Sequence, residues 1–99
     1  MDTIDAPDAL RHALVLLPEV LDMRAAAPLA AELLERRGRD VDVDASKVRR
    51  LGGECLQVLL AAHACWKADE LSFRVVSPSG DFTEGLVLMG APAFPFLGT

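Results

Sequence analysis

VDVDASKVRRLGGECLQVLLAA, residues 41–62, is the stretch whose reading decides the fold. With Asp40 in front of it, its first part alternates apolar and acidic residues. Val41 and Val43 fall on one face, and Asp40, Asp42 and Asp44 on the other. That period of two predicts a strand buried on one side only. Its last part runs on without a break into HACWK, and helical spacing places Leu56, Leu59, Leu60, His63 and Trp66 together. A strand over 40–44 therefore passes, through a linker at 45–51, into a helix over 52–67. The pair Gly52-Gly53 stands at the handover.

The flanks continue the pattern. HALVLL, residues 12–17, is a short apolar run closed by Pro18 and predicts a buried strand. Residues 18–23 form a turn in which Asp22 can cap a helix. In RAAAPLAAELLERRG, residues 24–38, Pro28 fits the first helical turn because it lacks an amide donor. Leu29, Leu33 and Leu34 make the buried stripe; Glu32, Glu35, Arg36 and Arg37 face water; Gly38 ends the helix. LSFRVV, residues 71–76, is the next strand. PSGD follows as a turn, with Ser79 or Asp81 capping a helix over 82–89 that Gly90 ends. Strand and helix alternate with short connections. The result is an α/β layer of mainly parallel neighbours, and the acidic strand face limits the helices to one side. Residues 1–11 read as a flexible lead-in, 12–90 as the domain, and 91–99 as an apolar, proline-containing tail.

Composition sets the outer limits. The chain has 99 residues, 52% of them hydrophobic, which suits one domain with one core. There is no tyrosine and little other aromatic content, so the core is built from Leu, Val and Ala. A net charge of −5 argues against nucleic acid or an anionic membrane as partner. The basic residues are scattered except at Arg36-Arg37-Arg39 and Lys47-Arg49-Arg50. Cys55 and Cys65 lie in one predicted helix, about 15 Å apart, too far for a disulfide. Free thiols, a start without a basic n-region, and no apolar run near the ~20 residues of a membrane span predict a cytoplasmic location.

The chemistry-bearing patterns are weak. Asp40, Asp42 and Asp44 open like a calcium loop, but Ala45 stands where glycine is needed and Leu51 where a bidentate glutamate is needed. Gly52-Gly53 before a helix can present amides to a phosphate. The stretch lacks both the lysine of a phosphate-binding loop and the third glycine of a dinucleotide fingerprint, so a tight strand–helix turn is the simpler reading. Cys55, His63 and Cys65 do not converge: His63 is about 80° from Cys55 around the helix, and Cys65 about 160° from His63. Neither a zinc site nor a Cys–His nucleophile pair results, and no cofactor, metal or catalytic residue is expected. The informative feature is the outer side of the helix, Glu54, Val58, Ala61 and Cys65 flanked by Gln57 and Ala64. It is nearly uncharged, and a helix apolar all round is expected to be covered. Either the tail at 91–99 or another protein covers it.

These residues resemble the STAS domain, the fold of bacterial anti-sigma factor antagonists, from about His12 to Gly90. LPEVLDMRAAAPLAAELL looks like the family's strand, turn and first helix. VDVDASKVRRLGGECLQVLLAA looks like its central strand and second helix, and PSGDFTEGLVLMG like its last turn and helix. The resemblance implies a STAS-like α/β fold, with a mainly parallel central sheet of about four strands and helices mostly on one face. In that family the junction reads Asp-[Ser/Thr]-x-Gly-Leu, and the hydroxyl is phosphorylated by a partner kinase. Here the aspartate falls on Gly52, the phospho-acceptor on Gly53, the glycine on Cys55 and the leucine on Leu56; only the leucine is kept. The phospho-switch therefore cannot run at Gly53. Glu54 supplies a fixed charge at the helix N-terminus, either as an ordinary first-turn acid or as a stand-in for the lost charge. Whether Ser46 or Ser79 is phosphorylated instead stays open. LGG-x-CLQVLL-AA with the following Trp, and FTE-x-L, are similar to small STAS proteins that accompany chemotaxis genes.

The resemblance implies a non-enzymatic regulator that binds a protein, foremost a chemotaxis-type histidine kinase. Alternatives are an accessory subunit of a phospholipid-transport ATPase and an anti-sigma factor antagonist. Less favoured is a small nucleotide-binding module using the Gly52-Gly53 amides. The expected binding surface is Arg50, Gly53, Glu54, Gln57, Val58 and Ala61. Oligomeric state is not legible.

Overall fold

A computed structural model describes residues 12–91 of the chain. The lead-in 1–11 and residues 92–99 of the tail lie outside the described residues. The elements in order are β1 (His12–Leu16), β2 (Val20–Leu21), α1 (Met23–Glu35), β3 (Asp40–Asp44), β4 (Arg50–Leu51), α2 (Gly53–Ala68), β5 (Phe73–Val76) and α3 (Gly80–Leu88).

The main sheet has three strands in the order β1-β3-β5, and both pairings are parallel. Period-two patterning sets its two faces. Ala13, Val15, Val41, Val43, Phe73 and Val75 are buried under the helices. Asp42 lies opposite Leu14 on one side and Arg74 on the other. Each strand aspartate holds something in place rather than merely facing water. Asp40 accepts from the Ser72 amide at 2.8 Å, Asp42 from Arg74 Nε and Nη2 at 3.1 and 3.2 Å, and Asp44 from the Ser46 amide at 2.8 Å. The Ser46 bond also holds the Asp44 carboxyl below its ordinary pKa. Among the described residues, no group of three His, Cys, Asp or Glu is placed to hold a metal ion, and no helix is long and apolar enough to cross a membrane.

The expected α/β layer of parallel strands is present, but its strands are divided differently. Two regions read as loops each hold a two-residue strand, and β2 pairs with β4 as a separate parallel ribbon, Val20 opposite Arg50 and Leu21 opposite Leu51. Strands this short leave no periodicity to read; their pairing is a tertiary event.

Each ribbon strand leads through a single capping residue into a helix. Asp22 caps α1 through its carboxylate, which accepts from the Arg24 and Ala25 amides at 3.0 and 3.3 Å. Gly52 caps α2 with no side chain, and its amide donates to the Leu21 carbonyl at 2.8 Å. Because the ribbon is parallel and in register, α1 and α2 start side by side. Their far ends are joined as well. Arg37 pairs with Asp69 at 2.9 Å, and Trp66 Nε1 donates to the Arg39 carbonyl at 2.7 Å.

Two expectations in α1 need correction. Pro28 is not in the first turn, because the Asp22 cap starts the helix at Met23, which leaves Pro28 inside it. Proline there removes the amide that would bond the Arg24 carbonyl, and Arg24 and Pro28 are both exposed, where water can serve instead. Leu34 does not join the buried stripe. Leu29 and Leu33 are 5% and 2% exposed, whereas Leu34 is 65% exposed. In α2, Leu56, Leu59 and Trp66 are buried as expected, joined by Cys55 and Ala62, while Leu60 and His63 are only half-buried. The last helix starts at Gly80, two residues earlier than expected, and Ser79 is its cap. Ser79 Oγ accepts from the Phe82 amide at 3.0 Å and donates to the Val48 carbonyl at 2.6 Å, which ties α3 to the segment before β4. Gly38 and Gly90 take positive φ at the turns that end α1 and α3, as their positions predict.

The two junction glycines differ physically. A Cβ on Gly52 would lie 2.9 Å from the Leu21 carbonyl oxygen, a backbone atom that cannot swing aside. A Cβ on Gly53 would meet nothing within 4 Å. Gly52→Ala is therefore expected to destabilise the fold by ~1–3 kcal/mol through overpacking, and Gly53→Ala to be neutral or stabilising by up to ~1 kcal/mol. Urea midpoints of the two variants check this, and equal midpoints would refute the distinction. Trp66→Phe keeps a ring against Phe73, 5.6 Å away, but loses the indole donor to Arg39. The expected cost is ~1–3 kcal/mol, read from the same denaturation curves.

Candidate functional site

The expected binding surface begins where β4 becomes α2. Arg50 is the first residue of β4, and Gly53 the first of α2. Arg50, Gly53, Glu54, Gln57 and Ala61 are all exposed, and Val58 is half-buried against the core. Gly53, Gln57 and Ala61 succeed one another at four-residue intervals, so they share one helix face. Glu54 is the acid of the first turn, where the helix dipole favours its charge. Arg50 stands apart from that face, bound into the ribbon opposite Val20.

The junction does not form an anion cradle from both glycine amides, because the Gly52 amide is already committed to Leu21. The Cys55 side chain is fully buried, and its Sγ donates to the Asp22 carbonyl at 3.3 Å. Burial first, then the charges of Asp22 and Glu54, push this thiol's pKa up and keep it a protonated donor. Cys65 is exposed at the other end of the helix. His63 stacks edge-on to Phe73 at 6.2 Å, and burial, with Lys67 nearby, lowers its pKa. Cys55 and His63 are thus each engaged in contacts with neighbouring elements. Ser79 is engaged in capping through its hydroxyl, whereas Ser46 is exposed just after β3, next to Ala45, whose carbonyl accepts from the Ser79 amide at 3.1 Å.

One feature near the surface was not legible in the sequence. The outer side of α2 is only partly open, because α1 lies along it. Between the helices runs a cleft of about 220 Å³ lined by Ala30, Leu33 and Leu34 of α1 and by Val58, Ala61 and Cys65 of α2, among others. Arg37 is its only charged lining residue. Val58 and Ala61 thus belong both to the expected surface and to this cleft. The exposure of Leu34 was the missing signal, since helical spacing alone assigned it to the core.

The family model described as "Mlab, STAS domain" matches residues 6–94. No curated protein and no solved structure matches the chain. The match spans most of the sequence and agrees with the α/β fold of parallel strands and three helices. The chain belongs to the STAS domain family, generally non-catalytic regulatory modules that bind proteins.

Proposed function

We propose that the chain is a non-enzymatic, cytoplasmic signalling regulator that binds a protein through the start and outer face of α2. The observation that carries this reading is the character of that face. Gly53, Glu54, Gln57 and Ala61 are exposed and carry one charge among them, beside a half-buried Val58. Surfaces of this kind mark interaction sites. Gly53 has room for a side chain, so the lack of a phospho-acceptor there is not imposed by packing. Glu54 supplies a permanent charge next to it, and binding is then not switched by phosphorylation at this position.

The partner proposed is a chemotaxis-type histidine kinase, by the resemblance of LGG-x-CLQVLL-AA and FTE-x-L to small STAS proteins beside chemotaxis genes. A second reading draws on the Mlab half of the family description. It makes the chain an accessory subunit that grips a transport ATPase with the same face of α2. Co-purification from the native host with mass spectrometry separates the two by what is captured.

Ala61→Arg tests the surface. Ala61 is exposed, so the fold is expected to stay within ~0.5 kcal/mol of wild type. A buried arginine in the complex is expected to weaken binding at least about tenfold, the equivalent of ~1.4 kcal/mol. Unchanged capture of the partner by a folded Ala61→Arg variant sinks the assignment.

A further inference from the structure

We infer that the chain pairs with a second copy of itself through the outer face of α1, as a two-fold dimer in which the two α1 helices run antiparallel. The contact lies on α1 rather than at the start of α2, so the inference goes beyond the partner surface proposed above.

The outer face of α1 is apolar where a solvated helix would carry charge. Met23, Ala27, Ala31 and Leu34 are all exposed, Met23 by 70% and Leu34 by 65%. At about 100° per residue these four fall within an arc of about 80°. The stripe runs the length of the helix, about 16 Å from Met23 to Leu34, and the large side chains stand at its two ends. A continuous apolar face of this kind is what one helix packs against another.

Two charges identify the second helix. Arg24 and Glu35 are exposed, and each stands at the end of α1 where the dipole disfavours it. Arg24 is in the first turn, which holds no acid, and Glu35 is in the last turn, which holds no base. Arg24 makes no ion pair among the described residues. Glu35 meets the adjacent Arg36 at 3.4 Å with 74% of its side chain exposed. This placement costs a single chain stability.

A pair of chains recovers that cost. Arg24 and Glu35 lie about 20° apart around the helix, on the flank of the stripe that faces away from the cleft. A two-fold axis between antiparallel helices brings like flanks together at mirrored heights. Arg24 then faces Glu35 of the partner subunit, and by symmetry the pair occurs twice. The apolar residues fit the same axis. Met23 lies against Leu34 of the partner subunit, and Ala27 against Ala31 of the partner subunit, where small side chains let the helices approach. The midpoint of Arg24 and Glu35 and that of Met23 and Leu34 differ by one residue, about 1.5 Å along the helix. Charge and apolar surface are thus self-complementary about one point, as an isologous contact requires.

Sedimentation equilibrium of the full chain at low ionic strength, where exposed pairs are least screened, tests this. The samples are wild type, Arg24→Glu, Glu35→Arg and an equimolar mixture of the two variants. Wild type is expected to show a concentration-dependent monomer–dimer equilibrium. Each variant places its new charge at the end of α1 that the dipole favours, so its fold is kept. Its dimerisation is expected to weaken at least about tenfold, because two attractive pairs become two repulsive ones. In the mixture a heterodimer regains both pairs: the introduced glutamate faces the introduced arginine, and the remaining Glu35 faces the remaining Arg24. Association is expected to return to the wild-type level. A wild type that stays monomeric up to about 1 mM overturns the proposal. A dimer that both variants leave unchanged also overturns it, since that dimer uses another face. So does a mixture that associates no more strongly than its components, because the loss then lies within each chain and not in the pairs between them.

Discussion

The approach of the Gly52 amide to the Leu21 carbonyl, 2.8 Å apart, is the contact on which the arrangement of this protein depends. It closes the β2–β4 ribbon at the point where both strands give way to helices. A side chain at 52 would strike the same carbonyl. The ribbon itself is only two residues long on each strand and cannot be stable alone. It is held because its residues are also helix entrances, and because Leu21 and Leu51 are buried in the common core. Position 52 thus determines how closely two otherwise independent strand–cap–helix units can lie.

Side-by-side helices follow from that closeness. Two parallel strands in register deliver α1 and α2 to the same level, and the Arg37–Asp69 pair and the Trp66–Arg39 bond meet at the opposite end. The ion pair is exposed and contributes little by itself; the buried indole and its 2.7 Å bond contribute more. Between these fixed ends several facing side chains are small, Ala30 on one helix and Ala61 and Ala62 on the other, and the larger Leu33, Leu34, Val58 and Trp66 around them leave a cleft open. The cleft is the result of two helices whose ends are tied while their middles lack bulk.

This explains what the sequence revealed and what it concealed. The acidic alternation at 40–44 was legible because a half-buried strand imposes a period of two on its own residues. The helix at 53–68 was legible because its length and apolar content left no other structure. The ribbon was hidden because Val20-Leu21 and Arg50-Leu51 define no period, and the pairing exists only between segments about thirty residues apart. Pro28 misled because the proline rule concerns an unsatisfied amide, while here the carbonyl left without its bond lies on an exposed side where water can serve it. Leu34 misled because a helix resting on both a sheet and a neighbouring helix does not bury its whole apolar stripe. For the candidate surface, exposure of residues 53, 54, 57 and 61 was readable from spacing. The cleft beside them was not, since half of its wall comes from α1.

Gly52 and Gly53 look alike in the sequence and equally unlike the junction of the family that the chain resembles. Their neighbours distinguish them. The chain places glycine at 52 and cysteine at 55. Both positions face the same backbone, Leu21-Asp22. Gly52 meets the Leu21 carbonyl, and Cys55 Sγ donates to the Asp22 carbonyl at 3.3 Å. The room left by a missing side chain at 52 and the bulk of the thiol at 55 therefore meet neighbouring atoms of one backbone segment. Gly53 touches neither, and a Cβ there would meet nothing within 4 Å. Packing therefore dictates what can stand at 52 and leaves 53 free to vary, so the two glycines are not one unit.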